Sequence, residues 1–517
     1  MKILSKYILI IGIIFIILYS YTFYNKDKIF FSPDENTNLY LSQLYSSSGN
    51  FYYNDPLNNN LDQKIIHPRG IFPYNNKLVT TLPIGGPLIW GTLITLKLDI
   101  LLPIFIPFIS VITLIFLFLL LKEIFNESLA FFSTLTAGIL APIWYFSSAM
   151  MVTDMLWIFF DVAGTYYFFK LINSELENKY IFFSALFFGM GLLINYKSIF
   201  WLFSLGISLI IYCIFSKKTL LLKNIMKKIF PQGMVFVLFI ITLLYLNYIS
   251  YGNPLTTGYS ALKEYAKTVG GLDLSLIYLD LPKLIFNIKN YLFFMSIYTI
   301  MMIIGIISLI LNKNKNIQKN IFLIFFLIYS SIIILYLGNI ASAGTDSFSI
   351  DASFLRYTLP IFLFSGPFIF LLLKNKSNIT KISFILILII INVTLISFAN
   401  GGIDYSSKYR INSLNYRNQI INNTEPNAVI ITAYYDKILF PHRKIADISL
   451  LNKNIEGQRI IDISLISEVI KDIEEPMYVI SRGEFNIEEF IKELNKFGLT
   501  LDKVKDVPNL YKVIKLE

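Results

Sequence analysis

Long apolar stretches separated by short polar segments dominate residues 1–399. Their lengths lie near the roughly 20 residues that an α-helix needs to cross the hydrocarbon core of a bilayer. The pattern predicts an all-α, polytopic membrane domain with about eleven transmembrane helices. We place these helices at residues 7–24, 99–121, 129–148, 150–172, 180–195, 197–215, 231–251, 291–311, 320–338, 354–373 and 382–399.

Composition agrees with a membrane protein and excludes several other classes. Of the 517 residues, 55% are hydrophobic and 15% are charged, whereas soluble domains carry about 25% charged residues. The net charge of +10 comes from lysines that cluster between the apolar stretches, so it signals topology and not nucleic-acid binding. The only cysteine, Cys213, excludes an intrachain disulfide and a cysteine metal cluster. The first apolar stretch is long for a signal peptide and lacks a cleavage site, which predicts a retained helix.

The lysine-rich connections predict the orientation. Residues 216–230, 312–320 and 374–381 contain lysine but no aspartate or glutamate, so we expect them on the cytoplasmic side together with the N-terminus. This requires that the short apolar segment 82–96 be re-entrant or interfacial, because a full span there would reverse the sidedness. The extracytoplasmic regions of this cell-membrane protein are then residues 25–98, 252–290, 339–353 and the segment after residue 399.

Two domains follow from this reading. Residues 1–399 form the transmembrane domain with a first outer loop at 25–98 and a second large outer loop at 252–290. Residues 400–517 change character, with short strand patterns at 428–432, 477–481 and 510–516 and amphipathic helix patterns at 463–473 and 487–497. Such alternation predicts a small extracytoplasmic α/β domain.

The first outer loop opens with two adjacent carboxylates, Asp34 and Glu35. Ser32 as N-cap, Pro33 at the first helical position and Glu35 three residues after the cap form a capping box for a short helix. This structural role explains Glu35 without any catalysis, but it leaves Asp34 less well explained. Asp34 is therefore a candidate catalytic residue.

Further charged residues fall at the predicted outer ends of transmembrane helices. Asp154 begins the fourth span, and Asp161 lies about two turns deeper on the same face. Lys197 joins the fifth and sixth spans, and Arg356 begins the tenth. Structural alternatives are a hydrogen bond within the bundle for the acids and contact with lipid headgroups for the cations. Acids and cations together at one membrane surface suggest an anionic substrate and a proton acceptor.

Three more residues complete the candidate site. His67 and Arg69 form the other polar cluster of the first loop, within His-Pro-Arg-Gly, and Tyr357 follows Arg356. The alternatives are a turn with a solvated Arg69 and an interfacial aromatic anchor at Tyr357. A single histidine does not make a zinc site.

In their order along the chain, these features resemble the GT-C membrane glycosyltransferases, in particular the branch of protein O-mannosyltransferases and aminoarabinose transferases. The resemblance covers roughly residues 1–400. It rests on Asp34 and Glu35 in SPDENTNLYLSQLY, the apolar helix TLPIGGPLIWGTLITL, Asp154 in VTDMLWIFF, Lys197 in GMGLLINYKSIF and Arg356 in FLRYTLP. The apolar helix lacks the His/Lys-Pro-Pro start of the family. No two of the four tryptophans are adjacent, so the WWDYG motif of oligosaccharyltransferases is missing.

The resemblance implies an inverting glycosyltransferase that moves a hexose or pentose from a polyprenyl-phosphate lipid to an acceptor hydroxyl of a glycan, lipid or protein. It implies Asp34 as base with Glu35 and Asp154 positioning it, and Lys197, Arg356 and Arg69 binding the donor phosphate. His67 and Tyr357 would contact the acceptor or the sugar. No cofactor is required, although a divalent metal between Asp34, Glu35 and Asp154 fits the same residues.

The competing prediction is a transporter or flippase of lipid-linked or anionic solutes. It could use the same charges within the membrane. The predicted position of those charges at one surface counts against it, because transporters bind their substrates near the midplane. Mutually distant charged residues would instead favour a structural membrane subunit.

Overall fold

The computed structural model describes residues 2–22, 28–61, 64–173, 177–217, 219–268, 281–311, 316–337, 349–350, 353–449, 451–455, 458–481, 483–505 and 507–516. Its helices are α1 Lys2–Thr22, α2 Pro33–Ser48, α3 Pro56–Asn60, α4 Gly85–Thr95, α5 Leu102–Ile124, α6 Glu127–Ile139, α7 Ala141–Ser148, α8 Asp154–Asn173, α9 Asn178–Ile194, α10 Ser198–Phe215, α11 Thr219–Tyr251, α12 Gly258–Thr268, α13 Leu281–Leu311, α14 Ile317–Leu337, α15 Ser353–Leu372, α16 Asn378–Phe398, α17 Ile403–Asn422, α18 Asp436–Leu439, α19 Ile463–Ile470 and α20 Ile487–Asn495. Its strands are β1 Ile71–Tyr74, β2 Lys77–Thr80, β3 Val429–Thr432, β4 Lys444–Asp447, β5 Asn452–Ile455, β6 Gln458–Ile461, β7 Met477–Ile480, β8 Leu499–Lys503 and β9 Leu510–Lys515.

The predicted transmembrane spans all correspond to helices. Among the described residues, seven helices are long and apolar enough to cross a membrane, and α6 with α7 forms an eighth span bent by 64°. Three shorter apolar helices, Tyr7–Thr22, Asn178–Ile194 and Tyr298–Leu311, lie at the other predicted spans. The polytopic all-α prediction is confirmed, and the predicted number of about eleven spans agrees roughly with the helices.

Some boundaries differ from the prediction. α11 begins at Thr219, so most of the predicted loop 216–230 is helical, and α13 begins at Leu281 with a kink at Met295. Hydropathy marks only the apolar part of a helix. Lysine also favours helical structure, so a helix can extend beyond its apolar part. α4 has 11 residues, too few to cross the hydrocarbon core, as the prediction for residues 82–96 required.

The chain divides into two compact units. The helical unit comprises Met1–Tyr24, Leu101–Thr242 and Leu276–Ser406, and the mixed unit comprises Asn25–Ile100, Leu243–Ser275 and Ser407–Glu517. The predicted division was instead a single boundary after residue 399. The outer loops group with the C-terminal segment because they share a hydrophobic core with it, and sequence order does not reveal shared cores.

Within the helical unit, α15 is the most enclosed of the long apolar helices. About 83% of its Leu355–Leu372 window is buried, against 22% for α16. α13 packs closely on α15, since a Cβ atom added at Gly305 would come within 2.0 Å of the Phe368 carbonyl oxygen. Small residues allow such close approach of membrane helices. α15 therefore holds its first residues, including Arg356 and Tyr357, on a rigid element.

The mixed unit contains the predicted α/β domain. Its five-stranded sheet has the order β4-β3-β7-β9-β8, with β4, β3 and β7 parallel and β9 and β8 antiparallel to their neighbours. We call this the C-terminal sheet. The predicted strands appear as β3, β7 and β9 and the predicted helices as α19 and α20, whereas β4, β5, β6 and β8 were missed.

The first outer loop adds a hairpin and part of the core to this sheet. β1 and β2 pair in antiparallel fashion around Asn75 and Asn76, both with positive φ, which asparagine tolerates in tight turns. Ile65, Phe72 and Val79 share one apolar cluster with residues of the C-terminal sheet such as Ile431. The first outer loop is therefore integrated into the fold of the mixed unit.

Candidate functional site

The helix α2 begins with the predicted capping box. The Asp34 N–H donates to Ser32 Oγ at 3.2 Å, and the Ser32 N–H donates to Glu35 Oε2 at 3.4 Å. Glu35 is buried and serves this cap, whereas Asp34 is partly exposed. The cap thus fixes the first turn of α2, in which Asp34 is a partly exposed residue.

Arg69 forms an ion pair with Asp436, a residue that the sequence analysis did not identify, and two guanidinium nitrogens donate to the same carboxylate oxygen. The guanidinium Nε and Nη2 atoms lie 2.9 and 2.6 Å from Asp436 Oδ1, and the Arg69 N–H donates to Oδ2 at 3.0 Å. Burial alone would lower the pKa of Arg69, but the charge and hydrogen bonds of Asp436 raise it above its ordinary value. This guanidinium is engaged by a carboxylate of the mixed unit, so a donor phosphate would have to compete with Asp436.

His67 lies in the core of the mixed unit. Its Nε2 is 3.0 Å from the Tyr265 hydroxyl and its Nδ1 is 3.2 Å from the Pro68 carbonyl oxygen. Burial lowers the pKa of His67 to about 4, so the ring is neutral near pH 7. With 2% of its surface exposed, His67 is placed to support packing, and its contact with a sugar or acceptor stays an untested prediction.

In the helical unit, Lys197 and Asp154 form a largely buried ion pair. Lys197 Nζ lies 3.5 Å from Asp154 Oδ1, and their side chains are 13% and 3% exposed. Asp154 begins α8, and Lys197 occupies the tight turn between α9 and α10, where Asn195 Oδ1 accepts the Lys197 N–H at 3.1 Å. The ends of three helices therefore bring together two residues that are far apart in the sequence.

Aromatic rings lie beside Lys197 and Arg356, two residues that we call the cation cluster. Lys197 Nζ lies 3.7 Å from the centre of the Tyr357 ring and 6.0 Å from that of Trp157. The guanidinium carbon of Arg356 lies 5.4 Å from the same Tyr357 ring. Two cations thus lie against one tyrosine at the start of α15, and the ring attracts them without adding a negative charge.

Asp161 lies deeper in the same unit and is fully buried. A Cβ atom added at Gly191 would come within 2.5 Å of Asp161 Oδ1 and 3.0 Å of Ser198 Oγ, so both groups pack against the backbone of α9. Thr165 Oγ1 donates to the Asp161 carbonyl oxygen at 2.7 Å. This bond is made by the backbone of Asp161, and neither carboxylate oxygen has a hydrogen-bond partner among the described residues, so the predicted hydrogen bond to a neighbouring helix stays a prediction.

A second acidic residue accompanies Asp436 in the mixed unit. Asp447 ends β4 and is buried, and its Oδ1 accepts the Ser449 N–H at 2.9 Å. Burial, reinforced by the charge of Asp436, raises the pKa of Asp447 to about 7. Asp436 follows β3 and Asp447 ends the parallel strand β4. Polar residues at the carboxyl ends of parallel strands are the sequence signal that could have identified them.

The predicted site residues therefore fall into two groups. Asp154, Lys197, Arg356 and Tyr357 belong to the helical unit, where Lys197 and Arg356 lie against the Tyr357 ring and Asp154 pairs with Lys197. Asp34, Glu35, His67 and Arg69 belong to the mixed unit. The convergence of both groups in one cleft stays a prediction.

The predicted metal has weak support in these geometries. Among the described residues of each unit, no group of three or more His, Cys, Asp or Glu side chains is placed to hold a metal ion. The Asp154 carboxylate already lies beside the Lys197 ammonium, and Glu35 accepts a hydrogen bond in the cap. Both contacts compete with a divalent cation.

Comparison with known proteins identifies the fold. A family model described as dolichyl-phosphate-mannose-protein mannosyltransferase matches residues 88–245, which is less than half of the chain. No curated protein matches the chain by sequence.

Two groups of solved structures resemble the whole chain. ArnT from Cupriavidus metallidurans in the apo state matches with a TM-score of 0.58 and 10% identity, covering 98% of both chains. ArnT bound to undecaprenyl phosphate matches at 0.55 and 10%, again covering 98% of both. The oligosaccharyltransferase AglB from Archaeoglobus fulgidus, in complex with an inhibitory peptide and a dolichol-phosphate, matches at 0.53 and 11%, covering 99% of this chain and 74% of that one. At these identities the likeness shows the fold, which is that of the GT-C glycosyltransferases and confirms the resemblance seen in the sequence.

Proposed function

We propose that the chain is an integral membrane glycosyltransferase that moves one sugar from a polyprenyl-phosphate donor to an acceptor hydroxyl, with inversion at the anomeric carbon. The observation that carries this proposal is the pair of cations at Tyr357. Lys197 Nζ lies 3.7 Å and the Arg356 guanidinium carbon 5.4 Å from the centre of the Tyr357 ring. Tyr357 and Arg356 lie at the beginning of the enclosed helix α15. Because α15 is closely packed, it fixes the backbone of Arg356 and Tyr357, and Lys197 is held beside them by Asp154.

The leaving group explains why cations are needed. A polyprenyl phosphate departs as a stable anion, so it needs positive charge and no general acid. Arg356 can donate two parallel hydrogen bonds to a phosphate, and Lys197 supplies a compact point charge. Asp154 holds Lys197 and prevents it from turning elsewhere, at 3.5 Å. Donor phosphate binding is thus assigned to Lys197 and Arg356.

Asp34 supplies the second half of the reaction. An acceptor hydroxyl must lose its proton as its oxygen attacks the anomeric carbon opposite the departing phosphate, and this in-line displacement inverts that carbon. Asp34 is partly exposed, and the capping box fixes its backbone. Glu35 then acts by holding the cap. The proton passes to the Asp34 carboxylate, and the lipid phosphate carries away the bonding electrons.

The comparisons support a lipid-phosphate donor. The matching family model is named for dolichyl-phosphate-mannose, and one ArnT structure contains undecaprenyl phosphate. The matched segment 88–245 includes Asp154 and Lys197. AglB shares the fold, but this chain has no WWDYG motif, which favours transfer of a monosaccharide over an oligosaccharide. The acceptor is a glycan, lipid or protein hydroxyl.

The side of the membrane follows from the lysine-rich connections. The positive-inside rule places the N-terminus in the cytoplasm and the mixed unit on the extracytoplasmic face of the cell membrane. Donor and acceptor would then meet at the outer leaflet. Asp34 and the cation cluster must lie on that same side for the mechanism to operate.

The test compares Asp34→Asn with Asp99→Asn in purified protein supplied with a labelled polyprenyl-phosphate sugar. Loss of the base should lower kcat by about 100-fold or more while donor affinity stays unchanged. Asp99 is exposed in the same segment of the chain, so its variant removes an equal charge and should transfer normally. Near-normal transfer by Asp34→Asn would remove Asp34 from the mechanism.

A transport assay separates the competing function. In proteoliposomes, a flippase would move the labelled lipid across the bilayer without transferring its sugar. The proposed enzyme should instead convert the label into a glycosylated acceptor. Lipid movement that persists in the Asp34→Asn variant, without any transfer by the wild type, would favour the flippase.

A further inference from the structure

The N-terminal turn of α2 is attached to the C-terminal part of the chain on both sides of Asp34. Before Asp34, Lys437 Nζ donates to the Phe31 carbonyl oxygen at 2.8 Å. After it, Asn36 Nδ2 donates to the Phe440 carbonyl oxygen at 3.1 Å. Both partners belong to the segment that follows β3 of the C-terminal sheet. The residues that flank the candidate base are thus held by contacts more than 400 positions away in sequence.

A third attachment runs through Arg69. Thr37 Oγ1 donates to the Arg69 carbonyl oxygen at 3.1 Å, and Thr37 lies one turn after Asp34 on α2. The Arg69 backbone N–H and guanidinium both donate to Asp436. Asp436 therefore connects to the first turn of α2 through a single residue that is fixed at its amide, its carbonyl and its side chain.

The hydrogen-bonded series Asp436–Arg69–Thr37, which we call the relay, holds its three residues in close contact. Asp436 is 1% exposed, and its two oxygens accept three charge-assisted hydrogen bonds from Arg69, two of them from the guanidinium and one from the backbone N–H. Gly70 follows Arg69 with a φ of +82°, and a Cβ atom there would come within 2.5 Å of Thr37 Oγ1. The loop consequently lies in direct contact with α2. A shift of Asp436 would move Arg69 and with it the contact to Thr37.

The position of Asp436 in the sheet is also informative. It follows the carboxyl end of β3, whose neighbours β4 and β7 lie on opposite sides, and ligands of open α/β sheets usually bind at such a point. Here Arg69 Nη2 donates to the Tyr434 carbonyl oxygen at 3.1 Å, and the Arg69 guanidinium lies 5.1 Å from the Tyr434 ring centre. The chain itself occupies this end of the strand. The C-terminal sheet therefore uses its usual ligand-binding edge to hold the first outer loop.

We infer that Asp436 is a positioning residue for Asp34, acting through Arg69 and Thr37 to hold the first turn of α2. This inference rests on the proposed function for the role of Asp34. It assigns the C-terminal α/β domain the task of orienting the catalytic base. It also gives Arg69 a different role from donor phosphate binding.

Kinetics of Asp436→Asn and Arg69→Gln test the relay. Both variants should lower kcat about 10- to 100-fold, because a shift of about 1 Å at a catalytic group has such effects. The KM for the lipid donor should stay within about twofold of the wild-type value. A raised donor KM in Arg69→Gln with normal kinetics in Asp436→Asn would overturn the relay and restore Arg69 as a phosphate ligand.

Double variants separate positioning from general destabilisation. Arg69→Gln combined with Asp436→Asn should be no more than about threefold worse than either single variant, since both break one unit. In the Asp34→Asn background, Asp436→Asn should cause no further loss of residual transfer. A further loss of tenfold or more there would show that Asp436 acts independently of Asp34 and would overturn the inference.

Hydrogen exchange gives a readout that does not depend on activity. In the full-length protein, Asp436→Asn should increase amide exchange in residues 34–48 relative to wild type. The control Glu425→Gln removes an ion pair with Lys512 in the same domain, and it should leave exchange in α2 unchanged. Unchanged exchange of α2 in Asp436→Asn would overturn the relay. Increased exchange of α2 in Asp436→Asn, together with no sugar transfer by the wild-type protein, would support the relay while rejecting the proposed function.

Discussion

The ammonium of Lys197 lies 3.5 Å from the Asp154 carboxylate, and the pair is almost fully enclosed within the helical unit. A buried ion pair contributes little net stability, but removing one partner leaves an uncompensated charge. The pair therefore serves mainly to hold Lys197 against Tyr357. This arrangement allows the roles of the two residues to be separated by mutation.

Lys197→Met should weaken binding of polyprenyl phosphate about tenfold or more, because a charge-assisted contact to phosphate is lost. Asp154→Asn keeps the cation but removes the carboxylate that holds it, so phosphate binding should weaken less than in Lys197→Met. The ligand-induced rise in Tm measures both affinities. Normal phosphate binding by Lys197→Met would mean that Lys197 only neutralises Asp154.

The double variant Lys197→Met with Asp154→Asn provides the matched control for stability. Lys197→Met alone leaves a carboxylate that is 3% exposed without its cation, which is expected to cost about 3–5 kcal/mol. Replacing both residues should recover most of that stability and still bind phosphate weakly. Recovery of phosphate binding in the double variant would contradict the assignment of Lys197.

Gly70→Ala should destabilise the mixed unit more than Gly49→Ala does. Both glycines have positive φ, which costs an alanine about 1 kcal/mol. Only Gly70 also lies against a neighbour, since an added Cβ would come within 2.5 Å of Thr37 Oγ1, whereas Gly49 has open space. Thermal unfolding of both variants measures the difference. Equal losses of Tm would show that Thr37 can move away without effect.

Asn392→Leu should destabilise the helical unit by about 1–2 kcal/mol. Asn392 Oδ1 accepts the Ala141 N–H at 2.7 Å, at the break between α6 and α7, and both residues are buried. Without this acceptor the amide has no water to replace it within a bilayer. Thr394→Ala on the exposed side of α16 is the control and should change the Tm little. An unchanged Tm in Asn392→Leu would mean that the bend needs no external acceptor.

The stability of the mixed unit should depend on pH through Asp447 and His67 with opposite signs. The folded Asp447 keeps its proton up to about pH 7, well above its ordinary pKa of 3.8, so its contribution falls as pH rises through this window. The folded His67 stays neutral down to about pH 4, below its ordinary 6.5, so its contribution rises with pH. The two effects should nearly cancel between about pH 4 and 6.5.

Single variants should reveal each effect. Relative to wild type, Asp447→Asn should make stability increase with pH between about 4 and 6.5, and His67→Gln should make it decrease up to about pH 7. The slope for one proton is about 1.4 kcal/mol per pH unit. Thermal unfolding across this range provides the measurement. Parallel pH profiles for both variants and the wild type would contradict the assigned shifts.

Several site features could be predicted because their signals are local. The capping box of Ser32 and Glu35 depends only on spacing within one helical turn, and the structure confirms it. Asp154 and Lys197 stood out as charged residues at the ends of apolar stretches, where their burial requires a partner. The sequence did not reveal that each is the partner of the other. Asp154 begins α8 and Lys197 follows α9, so the two meet only because α8 and α9 pack side by side.

Hydrophobic patterning by itself determined the membrane class, the approximate helices and the α/β character of the C-terminal segment, because each depends on periodicity within a short window. Tertiary structure decided which distant groups meet. Arg69 looked like a solvated or phosphate-binding cation, but folding places it on Asp436, and His67 lies in a core beside Tyr265. Such pairings depend on how separate segments pack around a shared apolar core. Neither hydropathy nor spacing along the chain indicates which side chains of separate segments become neighbours.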